Sequence, residues 1–128
     1  MKKLIALLAG ATLALSAFAG EYPDISINEV KALVGTKKAT IIDVNGSESY
    51  KEGHVPGALD FDEVEKKLES VLPADKNALV IAYCGNPRCK AYQAAADAAH
   101  KLGYKNVKHM SAGIAGWKKA GETLEKAK

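Results

Sequence analysis

The chain has two cysteines, and they stand five positions apart in one short segment. Cys84 directly follows a hydrophobic run, and the segment reads Cys84-Gly85-Asn86-Pro87-Arg88-Cys89-Lys90. A thiolate is a strong nucleophile, and nearby N–H dipoles and cations stabilise it against the thiol. The segment therefore predicts nucleophilic sulfur chemistry at Cys84, with Arg88 and Lys90 adding fixed positive charge.

The elements expected around Cys84 are of the kind that lowers a cysteine pKa. Residues 78–83 form the most hydrophobic stretch of the mature chain and predict a central strand, and an alanine-rich helix is expected from about Ala91 to Leu102. Ligands bind at the carboxyl ends of strands in open parallel sheets, and the amides of a following helix point back toward such a loop. We expect a solvent-accessible Cys84 whose thiolate is favoured by the unpaired amides and the dipole at the start of this helix.

Strand-like and helix-like segments alternate along the remainder of the chain. This alternation predicts one α/β domain with a small parallel sheet and helices on both faces. The expected elements are a helix from a Ser26–Glu29 capping box to Gly35, strands at 39–44 and 107–110, an extended piece at 58–61, and helices at 48–52, 62–72 and 113–120.

Composition excludes several classes of protein. A hydrophobic fraction of 48% and a charged fraction of 26% are incompatible with collagen-like, coiled-coil or wholly disordered chains. Two cysteines form at most one bridge, which excludes a disulfide-dense scaffold. Of the formal net charge of +3, two units come from Lys2 and Lys3 in the segment described next. No basic excess remains to suggest nucleic acid as a partner.

Residues 1–19 have the pattern of a cleavable signal peptide. Lys2 and Lys3 precede an apolar run, and Ala17-Phe18-Ala19 supplies the small-x-small pattern of a cleavage site. We expect cleavage after Ala19, a mature domain at 20–128 and a periplasmic location without stable membrane insertion. In an oxidising compartment a cysteine pair is bridged unless it is continually reduced, so a periplasmic reductant is an expected partner.

Several segments together resemble the rhodanese-like sulfurtransferase domain. They are Ile42-Asp43-Val44, the stretch from Tyr50 to Ala58 with Gly53-His54-Val55-Pro56-Gly57, the strand 80–83 before Cys84, Leu102 to Val107, and Gly113 to Gly121. The resemblance implies that Cys84 takes sulfane sulfur from thiosulfate or polysulfide as a persulfide and passes it to a thiol or cyanide. It also implies that substrate is bound by Gly85, Asn86, Pro87, Arg88, Cys89 and Lys90, without a cofactor.

The chain departs from the family pattern at the loop and beside it. The usual loop ends in arginine at its sixth position, where this chain has Cys89. Related phosphatases have arginine one position later, where this chain has Lys90. The ammonium group of lysine is a point charge and cannot bind an oxyanion bidentately as a guanidinium does. Asn45 replaces the arginine of an Asp-x-Arg pattern, and Ala112 replaces a glycine. We therefore expect no phosphatase activity and less efficient use of thiosulfate.

Three roles are open for Cys89: an inert small residue, one half of a structural disulfide, or a resolving thiol that attacks the persulfide and releases sulfide. A curled loop would point the two cysteine side chains in different directions, which favours the inert role. Two other functions also stay open. One is a non-catalytic rhodanese-like binding module, and the other is a thiol–disulfide protein using Cys84 and Cys89.

Other polar residues are expected to support the structure. We expect His54 to form hydrogen bonds rather than transfer protons, and Asp43 to hold its neighbouring loop through backbone amides. Trp117 and Ile114 are expected in the core. The spacing of His100 and His109 relative to the cysteines is not that of metal ligands, so no metal site is predicted.

Overall fold

The structure, a computed structural model, describes residues 22–127 of the 128-residue chain. The predicted signal peptide at 1–19 and its cleavage site lie outside the described residues. Within the described part, no helix is long and apolar enough to cross a membrane.

The described chain alternates helices and short strands. In chain order the elements are α1 (Ile27–Leu33), β1 (Ala39–Asp43), α2 (Ser47–Glu52), β2 (Leu59–Asp60), α3 (Phe61–Val64), a 3-10 turn (Glu65–Lys67), α4 (Leu68–Val71), β3 (Leu79–Tyr83), α5 (Tyr92–Lys101), β4 (Asn106–His109) and α6 (Gly113–Lys119).

The four strands form one parallel sheet in the order β2-β1-β3-β4. The two most apolar strands, β1 and β3, occupy the inner positions, and Ile41 pairs with Ile81 across them. Parallel strands buried on both faces have continuous apolar runs because both sets of side chains face a packed layer. The predicted α/β fold with a central β3 is confirmed.

The inner strands send alternate side chains into two separate cores. Ile42 and Val80 belong to the core beneath α3, α4 and α5, whereas Ile41 and Ile81 belong to the core beneath α1 and α6. Trp117 of α6 is 2% exposed and fills the second core, as expected. Helices therefore cover both faces of the sheet, and this arrangement leaves its carboxyl edge to the loops.

The local helix signals agree with the structure in part. Ser26 and Glu29 form the predicted capping box at the start of α1. The single helix expected at 62–72 is wrong, because a 3-10 turn at Glu65–Lys67 divides it into α3 and α4. The residues of that turn are exposed. The apolar residues of this segment are buried in the broken helix as they would be in a continuous one, so their spacing could not predict the break.

The segment at 23–25, which lies before the first predicted helix, extends the sheet beyond β4. The Ile25 amide donates to the His109 carbonyl at 2.9 Å, and the His109 amide donates to the Pro23 carbonyl at 2.9 Å. A second unpredicted pairing joins the carboxy-terminal segment to the loop after α2, where His54 and Glu125 form an antiparallel bridge. Both pairings connect segments that are far apart in sequence.

Candidate functional site

Cys84 lies at the carboxyl end of an inner strand. The neighbouring strand ends hold this edge from both sides, because the Val44 amide donates to the Tyr83 carbonyl at 2.9 Å and the Met110 amide donates to the Ala82 carbonyl at 3.1 Å. The position of Cys84 is therefore fixed by sheet hydrogen bonding, at the edge where parallel sheets bind ligands.

The start of α6 holds the first two residues of the cysteine loop. The amides of Ile114 and Ala115 donate to the carbonyls of Cys84 and Gly85, each at 2.9 Å. In a trans peptide the N–H points opposite to the C=O. The amides of Gly85 and Asn86 therefore face away from α6.

Gly113 permits this close approach. Its φ is +66°, and a Cβ on it would lie 2.5 Å from the carbonyl carbon of Gly85 and 2.7 Å from the Asn86 nitrogen. The sequence predicted Gly113 as the first residue of the last helix and as part of a family-like segment. Glycine at a sheet–helix junction was the available signal, but it did not identify which backbone the glycine contacts.

The two cysteines form a disulfide. The Cα atoms of Cys84 and Cys89 are 6.3 Å apart, within the range that disulfides span. The expectation that their side chains point in different directions is wrong, and with it the argument for an inert Cys89. The loop folds back on itself more tightly than an open anion cradle would.

Asn86 produces this fold-back. Its carbonyl accepts from the Cys89 amide at 3.1 Å, and its side-chain Oδ1 accepts from the Arg88 amide at 2.8 Å. These bonds close a tight turn of the kind that asparagine favours. They also occupy two of the amides expected to bind an anion, and Pro87 has no N–H. Gly85, Asn86 and Lys90 keep amides outside these bonds.

Cys84, which was expected to be accessible, is buried in the structure. Cys84 is 1% exposed, whereas Cys89 is only partly buried. The expectation of an accessible Cys84 is therefore wrong for this disulfide-bonded form, in which Cys84 belongs to the first core. Arg88 and Lys90 are exposed beside the pair.

The helix after the loop packs closely on the sheet. It begins at Tyr92, close to the predicted Ala91, and its residues Ala95, Ala96 and Ala99 are fully buried in the first core. Small side chains let the helix backbone approach the strands. The predicted alanine-rich helix is confirmed, and α5 starts only three residues after Cys89.

A buried polar network surrounds the side chain of Tyr83, which precedes Cys84 and points into the opposite core. The Tyr83 hydroxyl donates to Asp43 Oδ2 at 2.6 Å and accepts from the Val55 amide at 3.0 Å. Asp43 Oδ1 accepts from the Asn45 amide at 2.8 Å, which confirms the expected role of Asp43. Burial raises the pKa of Asp43, and the hydrogen bonds from Tyr83 and Asn45 oppose that effect.

Asn45 lies next to the loop as well. Its Oδ1 is 3.6 Å from the place where a Cβ on Gly85 would be, and its Nδ2 is buried without a hydrogen-bond partner among residues 22–127. The position of the family's arginine is therefore occupied by an uncharged amide.

His54 has the structural role that the sequence predicted. It is 2% exposed, its Nδ1 is 2.6 Å from the Tyr50 carbonyl, and its Nε2 is 3.3 Å from Glu125 Oε1. The Tyr50 ring stacks on the imidazole with centroids 3.6 Å apart. These contacts attach the carboxy-terminal segment to the loop after α2, away from the cysteines in sequence.

A surface groove lies apart from the cysteine loop. The groove, of about 720 Å³, lies between the 3-10 turn, α4 and α5, and no residue of the cysteine loop lines it. Among the described residues, no three His, Cys, Asp or Glu side chains are arranged to hold a metal ion.

Comparison with known proteins relates this fold and site to one family. The model of the Rhodanese-like domain matches residues 26–120. A tRNA uridine(34) hydroxylase of Buchnera aphidicola subsp. Schizaphis graminum (strain Sg) is 30% identical over 99 residues, which are 73% of this chain and 31% of the hydroxylase. The chain thus spans about a third of the length of that relative.

Solved structures show the same fold. The rhodanese-like domain of the Anabaena sp. Alr3790 protein has a TM-score of 0.66 and 23% identity, and covers 84% of this chain and 81% of its own. The human single-domain sulfurtransferase TSTD1 has a TM-score of 0.59 and 21% identity, and covers 77% of this chain and 97% of its own. At these identities the likeness establishes the fold alone.

Proposed function

This chain belongs to the rhodanese-like domain family, and on that premise we propose that it is a sulfurtransferase in which Cys84 carries sulfane sulfur as a persulfide. The observation that carries the proposal is the place of Cys84, fixed at the carboxyl end of β3 with α5 beginning shortly beyond the loop. Residues 85–90 would bind the sulfur-containing substrate.

The cycle begins with reduction of the Cys84–Cys89 disulfide. The Cys84 thiolate then attacks the outer sulfur of thiosulfate, a new S–S bond forms, and sulfite leaves with the electron pair of the broken bond. With polysulfide the leaving group is a polysulfide chain shorter by one sulfur. In the second half, a thiol or cyanide attacks the outer sulfur of the persulfide, and Cys84 leaves as thiolate.

The charge distribution supports a thiolate and a persulfide anion at this position. The helix α5 has ten residues, and its amino terminus follows the loop, so its dipole favours negative charge there. The amides of Gly85 and Asn86 face away from α6 and are not used by the Asn86 turn. In the reduced form they would stabilise the terminal sulfur as an anion.

The charged side chains near the loop determine which sulfur donor it binds well. The loop has no bidentate arginine at its end, and Asn45 stands where the family pattern has a cation. A doubly charged oxyanion such as thiosulfate would gain less from Lys90 than from a guanidinium. We therefore propose polysulfide or a protein persulfide as a better donor than thiosulfate.

The place of action follows from the predicted signal peptide. We propose that the mature domain at 20–128 acts in the periplasm, as an exported protein whose residues 1–19 are removed. The chain would then depend on a periplasmic dithiol to keep Cys84 reduced. The reductant would be a partner in every cycle that starts from the disulfide.

A Cys84→Ser variant tests the proposed carrier. The protein is reduced, freed of reductant without oxygen, and incubated with polysulfide, and the intact mass is measured. We expect the Cys89→Ser variant to gain about 32 Da, one sulfur atom, and the Cys84→Ser variant to gain nothing and to lose sulfur transfer to cyanide. A circular dichroism spectrum unchanged in Cys84→Ser controls for folding.

Two outcomes would contradict the assignment. Full sulfur transfer by Cys84→Ser would show that Cys84 is not the carrier. No mass increase in either variant would favour a rhodanese-like module that binds a partner or a small sulfur species without transferring sulfur.

One observation favours a second candidate function. The Cys84–Cys89 disulfide is what a thiol–disulfide protein would use. Such a protein would exchange electrons between a dithiol and a disulfide substrate with no sulfane sulfur donor present. Measuring dithiol oxidation with and without polysulfide separates this function from the sulfurtransferase, which requires the donor.

A further inference from the structure

We propose that Cys89 is the resolving thiol of a sulfide-releasing cycle, so that the protein reduces sulfane sulfur to sulfide at the expense of a dithiol. This inference rests on the proposed persulfide on Cys84 and adds its product and its reductant class. The juxtaposition that carries it is the bond between the two sulfur atoms across the turn at Asn86.

The chemical step is balanced without an external oxidant. The Cys89 thiolate attacks the inner sulfur of the persulfide, Sγ of Cys84, and a bond forms between the two cysteine sulfurs. The bond from Cys84 to the outer sulfur breaks, and that sulfur leaves with the electron pair and takes up the proton given up by the Cys89 thiol, as hydrosulfide. The two thiols are thereby oxidised to a disulfide, and one sulfane sulfur is reduced to sulfide.

The loop is built to bring Cys89 to that sulfur. The Cys89 amide bonds to the Asn86 carbonyl at 3.1 Å, and the Arg88 amide bonds to the Asn86 side chain at 2.8 Å, so the chain reverses before Cys89. At the other end, α6 holds the carbonyls of Cys84 and Gly85. An attacking group held this way has a large effective concentration relative to a thiol in solution.

The unequal burial of the two cysteines gives the cycle a direction. Cys84 is 1% exposed, whereas Cys89 is partly exposed. An external dithiol therefore reaches the Cys89 sulfur first, forms a mixed disulfide with it, and expels Cys84 as the thiolate. The second thiol of the reductant then attacks the reductant's own sulfur in the mixed disulfide. The reductant leaves as a disulfide, and Cys89 is freed as a thiolate.

Expelling Cys84 rather than Cys89 returns the protein to the state that the proposed transfer requires. Cys84 directly precedes Gly85 and Asn86, whose amides are not used by the Asn86 turn, and α5 begins shortly beyond the loop. A thiolate stabilised by these groups is the better leaving group. Each turn of the cycle thus consumes one sulfane sulfur and one dithiol, and it produces one sulfide.

The test is a single turnover of the mature chain without added acceptor. Reduced wild type, Cys89→Ser and the control Ala91→Ser are freed of reductant under anaerobic conditions and given one equivalent of polysulfide sulfur. Ala91 is exposed two residues beyond Cys89, so it matches the introduced hydroxyl while leaving both thiols in place. Released sulfide, free thiols and intact mass are measured over time.

We expect wild type and Ala91→Ser to release about one sulfide per chain and to end as the disulfide, lighter by about 2 Da. Cys89→Ser should keep the added sulfur of about 32 Da and release sulfide at least about tenfold more slowly until a thiol is added. Equal sulfide release from a persulfidated Cys89→Ser would overturn the role of Cys89 alone. If Cys89→Ser takes up no sulfur although folded, the persulfide proposal fails and the cycle with it.

Discussion

Gly113 lies directly against the peptide that joins Gly85 to Asn86. A side chain at Gly113 would meet the Gly85 carbonyl carbon at 2.5 Å, and the residue adopts a φ of +66° that non-glycine residues rarely take. This contact places the amino end of α6 under the cysteine loop, where the amides of Ile114 and Ala115 hold two of its carbonyls. The geometry of the loop therefore depends on a glycine 29 residues after Cys84 in the sequence.

Gly113→Ala is expected to disturb both the site and the fold. The added Cβ must displace backbone, and positive φ is unfavourable for alanine, so we expect a loss of more than about 1 kcal/mol in the free energy of unfolding. Persulfide formation on Cys84 should slow as well, because the loop moves. Urea denaturation and intact mass after polysulfide treatment measure the two effects.

Gly121→Ala is the matched control for this substitution. Gly121 has a φ of +77°, but a Cβ on it would meet no atom within 4 Å. It carries the same kind of backbone strain without the clash and lies away from the loop. If Gly121→Ala slowed persulfide formation as much as Gly113→Ala, contact with the Gly85–Asn86 peptide would not be the cause.

Tyr83→Phe should destabilise the protein in a pH-dependent way. The variant loses the hydroxyl that donates to Asp43 and accepts from Val55. Burial raises the pKa of Asp43, so its ionisation costs stability as pH rises through that pKa, and Tyr83 reduces this cost. We expect a loss of about 1–3 kcal/mol near neutral pH and a smaller loss at a pH where Asp43 is protonated.

Denaturation of Tyr83→Phe and wild type at the two pH values measures this difference. Tyr104→Phe is the control, because Tyr104 is also buried but its hydroxyl donates to the Pro73 carbonyl, an uncharged group. The same pH dependence in both variants would argue against the Tyr83–Asp43 bond as its origin.

His109 is expected to make the domain sensitive to acid. Burial lowers the pKa of His109 below its ordinary 6.5, and Asp24 opposes that effect only in part. The unfolded chain therefore binds a proton more readily than the folded one, so stability is full above about pH 6.5 and declines as pH falls below it. His109→Phe would keep a ring against Tyr92, on which the imidazole stacks at 3.4 Å.

Thermal unfolding between about pH 7.5 and pH 5 tests this contribution. The melting temperature of wild type should fall more steeply on acidification than that of His109→Phe. The corresponding difference in the free energy of unfolding is on the order of 1 kcal/mol. Parallel curves for the two proteins would show that other groups cause the acid sensitivity.

Reduction should measurably lower stability. A bond that closes a loop of six residues restricts the unfolded chain by about 2 kcal/mol in the entropic account. Wild type should therefore unfold at lower denaturant after reduction, whereas Cys89→Ser should unfold at the same denaturant with and without reductant. A wild-type midpoint unaffected by reduction would mean that the bond contributes nothing to stability.

The sequence determined the elements and the position of Cys84 at a strand end to a large extent. The continuous apolar runs at β1 and β3 predicted inner parallel strands, because both faces of such strands are covered. Cys84 could be placed at a strand end because the apolar run stops there. The capping box at Ser26, the packing of the alanines in α5 and the supporting roles of Asp43 and His54 are all local or nearly local patterns, and the structure confirms them.

Tertiary structure alone decided how the two cysteines meet and what covers them. Their spacing of five was compatible with side chains pointing together or apart, because the outcome depends on the turn that Asn86 makes and on the carbonyls that α6 holds. The pairing of residues 23–25 with β4 and of His54 with Glu125 likewise joins distant segments. Periodicity reports which face of an element is buried, but it carries no information about which distant backbone will lie against it.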